Sequence, residues 1–504
     1  MKKPLFKLAF SLTVLFFCFA GMFICISLDA LKRQFPLDKP EAVIFTLTQN
    51  TEGSERFVYA ILEESLVIVI DNEKQSLFIA FIFSLILLLL FRLKKKTNLK
   101  DYSRHFIKFF CIFLLIFNGC FFIFSAINIP IATYAKNYYT YLSESPQKNT
   151  LYSKEYIHPD SIHITFNKKN NLLFLMLESM EANFQEVIFN SKKENLIPEI
   201  SEYMENNISF LPGGVTVKGT GWTIGEVVAK NCAIPLIGLI NNMNSVKTFL
   251  PKAPCLMNIL QENGYSFYHI QGSSIKFASM DIFLKSHKVD SSHIYDISNF
   301  QDYQTHDSIF FNTIPDYNLY NESKNIISKI SSDTSKPWAI QLFTMDTHGP
   351  YGRFDSNCVD VPYPKDIKSQ YPNVLKCASK QLDNFLKWAK AQPWYESTTI
   401  VVMGDHPAMI DKDLLVFSKN QKNRLWLNFF INSTLTPPQK QRNFTSLDMF
   451  PTVLEAMGAQ IEGHALGLGR SLFSNEKTLI EKYGKDSLNT LIKKRSIEYE
   501  AFWN

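Results

Sequence analysis

The sequence predicts an α/β domain built on a mostly parallel sheet and preceded by N-terminal transmembrane helices. Short apolar runs of buried-strand type recur at 170–179, 265–272, 337–350 and 397–407, with amphipathic stretches between them. Longer apolar runs crowd the first 130 residues. Three of the four strand-like runs end in metal-binding residue types: Glu178, then Asp346 and His348, then Asp405 and His406.

The bulk properties agree with this division. A chain of 504 residues with 46% apolar content can bury a large core, which excludes a disordered or fibrous protein. The net charge is only +5, and no basic face stands out, so nucleic acid is excluded as a partner.

The first apolar run, "LFKLAFSLTVLFFCFAGMFICISL" at 5–28, follows "MKKP" and is long enough to cross a bilayer, which takes about 20 residues. It lacks a small-x-small cleavage site and further spans follow, so an anchor is expected rather than a cleaved signal peptide. The second and third spans fall near 76–91 and 109–128. Between them "RLKKKTNLKDYSRHFIK" carries seven Lys/Arg and one Asp, which places it in the cytoplasm. Three spans starting inside put everything beyond about residue 130 outside the cytoplasm.

Residues 131–169 are polar, Tyr-rich and aperiodic, and are expected to form a linker. The catalytic domain is expected over 170–475, with helices at 253–263 and 376–391 among those between the strands. The charged tail, 476–504, is expected to be helical. Cys18, Cys25, Cys111 and Cys120 lie in the spans, leaving Cys232, Cys255, Cys358 and Cys377 in a compartment that permits disulfides. Proximity for loop closure pairs Cys232 with Cys255 and Cys358 with Cys377, with free buried thiols as the alternative.

Ligands of open α/β sheets gather at the carboxyl ends of the strands. One glutamate after a strand is more often a first-turn helix acid, and one Asp-His pair more often a turn. Three such endings in one sheet make a site, and a mixed carboxylate and imidazole set suits Zn²⁺ or Mn²⁺. Such an ion activates a hydroxyl nucleophile. The best candidate lies in "TVKGTGWTIGEVV" (216–228), where glycines precede Thr223 at the start of a helix-like run. Thr223 as a simple helix cap, and Thr220 or Thr216 as the attacking hydroxyl, stay open on this reading.

These stretches together resemble the membrane-anchored branch of the alkaline phosphatase/sulfatase superfamily. The resemblance is carried by "AVIFTLTQNTEG" (42–53), "LESMEANF" (177–184), "GTGWTIGEVVAKNCAIPL" (219–236), "IQGSSIKFASMDIFLKSH" (270–287), "DTHGP" (346–350), "GDHPAM" (404–409) and "LGLGRSLF" (466–473). It is strongest to the phosphoglycerol transferases that modify periplasmic glucans. It implies a sulfatase-like fold, a metal site of Glu178, Thr223, Asp405 and His406 holding Mn²⁺ or Zn²⁺, and Thr223 as the nucleophile. His348 is implied to bind the phosphoryl group or assist the leaving group, with Lys276 and Asp281 at the substrate. The four soluble cysteines also fall where such enzymes have them.

The implied activity is ping-pong transfer of sn-glycerol-1-phosphate from phosphatidylglycerol to a glycan, by a multi-pass enzyme of the bacterial inner membrane with its catalytic domain in the periplasm. The acceptor would be an osmoregulated glucan or a lipopolysaccharide, O-antigen or capsule sugar. Where lipoteichoic acid synthases have Trp and Arg, "FASMD" has Ala278 and Met280, which favours single transfer over polymerisation. The alternatives are a phosphoethanolamine transferase acting on lipopolysaccharide and a sulfatase-like phosphodiesterase.

Overall fold

The computed structural model describes Tyr139 and residues 143–189, 192–237, 247–300, 303, 313–349, 351–410, 416–417 and 424–503. All but Tyr139 belong to one compact unit. The expected transmembrane region, 1–130, with spans at 5–28, 76–91 and 109–128, lies outside the described residues. Among the described residues no helix is long and apolar enough to cross a membrane.

The centre is a six-stranded sheet. Its strands are β1 (Asn171–Leu177), β2 (Ser266–Gln271), β3 (Ile294–Tyr295), β4 (Trp338–Phe343), β5 (Thr398–Gly404) and β6 (Asn428–Ile431), in spatial order β6-β5-β1-β4-β2-β3. Every neighbouring pair is parallel except β6 with β5. The sheet is thus mixed and mostly parallel.

The central strands read as unbroken apolar runs because both of their faces are buried. In β1, Leu172, Phe174 and Met176 point into one core, while Leu173, Leu175 and Leu177 point into the other. On the first face pack α2 (Thr223–Cys232), α3 (Leu256–Glu262), α4 (Met280–Ser286) and α7 (Met449–Ala456), through residues such as Val227, Leu256, Phe283 and Phe450. On the second face pack α1 (Pro198–Asn206), α5 (Asp316–Ser331) and α6 (Tyr371–Lys390), through Ile200, Leu319 and Leu382. The result is a three-layer α/β/α domain.

The segment expected as a linker carries a helix, Leu151–Glu155, and a strand, Ile164–Phe166, that pairs antiparallel with Ala459–Ile461. These pieces are too short for periodicity to betray them, yet Leu151 and Tyr152 are buried. The tail forms the helices Leu479–Tyr483, Lys485–Ile492 and Ile497–Ala501, and buries Leu479, Leu488 and Phe502 in the first core. Cys232 is bonded to Cys255, joining the end of α2 to the residue before α3, and Cys358 is bonded to Cys377 within α6.

Candidate active site

Parallel strands deliver their carboxyl ends to one edge of the sheet, and that edge gathers the candidate residues. Glu178 follows β1 directly, and Asp405 and His406 follow β5, its hydrogen-bonded neighbour. All three are buried. Their ligand atoms lie within 4.8 Å of one another. His406 Nε2 is the hub: Asp405 Oδ2 stands 3.3 Å away, Glu178 Oε1 3.7 Å, and Thr223 Oγ1 3.4 Å.

Thr223 reaches this point because it is the first residue of α2, where free N–H groups and the helix dipole favour anions. The glycine-rich approach is tightly folded, with Gly219 and Gly221 at φ of +80° and +93°. Thr220 is turned away, its hydroxyl closing a local turn on the Val217 carbonyl at 2.9 Å. Of the two, Thr223 is the threonine whose hydroxyl approaches His406.

The local electrostatics call for a cation. His406 Nδ1 is 3.1 Å from the Pro407 carbonyl, which can only accept, so Nδ1 carries the proton. The other ring nitrogen, Nε2, faces two carboxylates. Asp405 Oδ1 accepts from the Ser179 and His406 amides at 2.7 and 2.6 Å, but buried Oδ2 has no hydrogen-bond partner. Burial pushes the Glu178 carboxyl well above the usual carboxylate range, and the neighbouring Asp405 charge pushes it further. Asp405 is also raised by burial, against the opposing pull of Lys230. A divalent ion would meet the orphaned oxygen, the ring nitrogen and the crowded carboxylates together, so the donor set fits Zn²⁺ or Mn²⁺.

His348 follows β4 by five residues, on the turn that also carries Asp346 and Thr347. It is partly buried, and its Nδ1 stands 2.7 Å from the Gly349 carbonyl, which leaves Nε2 as an acceptor. Burial lowers its pKa to about 4, with nearby His406 adding to the effect, so the ring is neutral at physiological pH. Asp346 does not join the group. Its carboxylate pairs with Arg353 and accepts from the Asp316 amide at 3.0 Å, which braces the turn beneath His348. Lys276 is exposed and Asp281 lies in the first turn of α4, both beyond the carboxyl end of β2 and neither in the three-residue group.

Several residues of this edge escape a sequence reading. Ser179, at φ +53°, donates its amide to Asp405 and its hydroxyl to Glu178 Oε1 at 2.6 Å. Thr347 donates to the Glu178 carbonyl. Fully buried Lys230 and Glu226 connect α2 to the end of β5. Only the last pair left a trace in the sequence, as a Glu and a Lys four apart inside an otherwise apolar helix.

The sulfatase family profile matches residues 170–459. Phosphoglycerol transferase I of Salmonella arizonae is 32% identical over 321 residues, which is 62% of this chain and 40% of that protein. The chain therefore aligns with less than half the length of that relative. Among solved structures, an alkaline phosphatase superfamily protein from Vibrio parahaemolyticus superposes with a TM-score of 0.48 at 20% identity, covering 67% of this chain and 77% of the other. The lipoteichoic acid synthase LtaP from Listeria monocytogenes gives a TM-score of 0.48 at 18% identity, covering 62% and 78%.

Proposed function

The chain belongs to the sulfatase family, and we propose that within it the chain is a membrane-anchored phosphoglycerol transferase working through a covalent intermediate on Thr223. The observation that carries this reading is the approach of a helix-N-terminal hydroxyl, Thr223 Oγ1, to His406 Nε2 at 3.4 Å beside Glu178 and Asp405. The relationship to phosphoglycerol transferase I supports the choice of headgroup.

Glu178, Asp405, His406 and Thr223 would hold the Mn²⁺ or Zn²⁺, which when bound lowers the pKa of a hydroxyl and screens phosphoryl charge. Thr223 Oγ attacks the phosphorus of phosphatidylglycerol, and the bond from phosphorus to the diacylglycerol oxygen breaks. The hydroxyl proton passes to neutral His348 Nε2 and from there to the departing oxygen, releasing diacylglycerol. A sugar hydroxyl then attacks the same phosphorus, its proton returning through His348 to Thr223 Oγ as the glycerophosphoryl group leaves. The first α2 amides and the positive end of its dipole hold the phosphoryl oxygens through both steps. The acceptor is a cell-envelope glycan. The N-terminal spans keep the domain at the outer face of the inner membrane, beside its lipid donor.

The test is release of diacylglycerol from phosphatidylglycerol by the full-length chain in detergent with Mn²⁺ or Zn²⁺. The expected result is metal-dependent release that falls about 10³-fold or more in Thr223→Ala. Release from phosphatidylethanolamine alone would transfer the reading to the ethanolamine headgroup. Release from neither lipid would end the transferase reading.

A further inference from the structure

Helix α2 carries a fully buried ion pair that the chemistry above does not use. Lys230 Nζ sits 2.9 Å from Glu226 Oε2, and both side chains are entirely excluded from solvent. The ammonium has three donors, and each has an acceptor: Glu226, the Gly404 carbonyl at 3.0 Å and the Asp405 carbonyl at 2.5 Å. It also lies 4.3 Å from the centroid of the buried Trp426 ring. The other Glu226 oxygen, Oε1, accepts the Gly221 amide at 3.0 Å, two residues before Thr223.

Thr223, Glu226 and Lys230 are spaced i, i+3 and i+7, so one face of α2 presents all three to the end of β5. Through Glu226 this face grips the loop that delivers the nucleophile. Through Lys230 it grips the strand end that delivers Asp405 and His406. Burying two charges costs desolvation that an apolar pair of the same volume would avoid, so stability alone is a poor reason for such a pair.

We propose that Glu226 and Lys230 are positioning residues that set the Thr223 hydroxyl against the metal ligands, Lys230 acting on Asp405 and Glu226 on the Thr223 loop. This rests on the reading of Thr223 and the metal site given above. The two halves of the device predict different defects. Loss of Lys230 frees the Gly404 and Asp405 carbonyls that its ammonium holds, so the Asp405 ligand is less well placed and metal affinity falls. Loss of Glu226 frees the Gly221 loop while Glu178 stays at the end of β1 and Asp405 and His406 at the end of β5, so Thr223 suffers more than the other three ligands.

The experiment measures two quantities on full-length folded protein in detergent: the Kd for Mn²⁺ and Zn²⁺ by calorimetry, and the rate of diacylglycerol release from phosphatidylglycerol at saturating metal. Lys230→Met is expected to raise Kd about 10- to 100-fold, the usual consequence of losing a residue that supports a ligand. Glu226→Ala is expected to change Kd less than threefold while slowing release at least tenfold, and Glu226→Gln, which keeps the acceptor for Gly221, to restore most of that rate. If Lys230→Met does not fold, Lys230→Gln, whose shorter side chain brings two N–H donors to three acceptors, stands in its place with the same expected direction. A folded Lys230 variant with Kd within twofold of the parent, or a Glu226→Ala protein with the parent's rate, overturns the proposal. A purely structural pair would lower thermal stability and leave both quantities unchanged in the folded fraction. Failure of the parent itself to bind either ion or to release diacylglycerol overturns the underlying reading, and this inference with it.

Discussion

Two carboxylates held beside an imidazole, all three within 4.8 Å of one another and out of water, repel each other until something positive arrives. In the metal-free chain that something is a proton: Glu178 is raised well above the ordinary carboxylate range by burial and by Asp405, and Asp405 is itself raised by burial. Because folded-state pKa values are raised, the metal-free pair still holds a proton at pH values where free carboxyls are ionised, and an incoming ion must displace it. Metal affinity is therefore expected to climb with pH, by about tenfold per unit while one proton is displaced, and to level off once the pair is ionised. Calorimetry of Mn²⁺ binding in buffers of different ionisation enthalpy checks this through the proton released. Glu178→Gln is expected to abolish the release and weaken binding; release unchanged in that variant would place the proton elsewhere. Asp405, His406 and Glu178 were legible in the sequence because each follows an apolar run. Ser179 and Thr347 were not, because their roles depend on a turn at φ +53° and on a contact between residues 169 apart.

At the scale of elements, the site depends on how closely β5 is allowed to approach the turn after β1. Gly404 ends β5, and a Cβ there would stand 1.8 Å from the Met180 carbonyl oxygen. Backbone cannot yield cheaply, so Gly404→Ala is expected to destabilise the domain by about 1–3 kcal/mol and to weaken metal binding by displacing Asp405. Gly463 has φ +70° with nothing within 4 Å of its added Cβ, and Gly463→Asn is expected to cost no more than about 0.5 kcal/mol. Denaturant unfolding of the two variants checks the contrast, and equal destabilisation would deny the close approach its importance. The runs that became β1, β4 and β5 could be read because strands buried on both faces leave long apolar words, whereas β2, with Ser266, His269 and Gln271, is less apolar and only partly buried. The edge strands β3, of two residues, and β6, of four, were too short to carry a period. Helix α5 went unannounced because its buried stripe, with Leu319, Tyr320 and Ile327, is diluted by polar residues.

For the whole molecule, the mostly parallel sheet explains why candidate residues far apart in sequence come to the same edge. Glu178, Thr223, His348 and Asp405 span more than 220 positions, yet strand and helix ends bring them to one edge of the sheet. The architecture was legible as a class from alternating strands and helices. The docking of the 143–166 segment and of the tail was not, since Leu151, Tyr152, Leu488 and Phe502 stand singly or in short groups among polar residues and only the folded chain reveals their burial. The central claim is that this edge makes Thr223 a covalent carrier. The most direct measurement is peptide mass spectrometry of the full-length chain after brief incubation with phosphatidylglycerol and Mn²⁺ or Zn²⁺, with Thr223→Ala beside it. A glycerophosphoryl adduct on the Thr223 peptide, absent from the variant, is the predicted result. An adduct on Thr220 or Thr216, or turnover of the lipid with no adduct trapped on any residue of the 216–223 loop, would contradict the account.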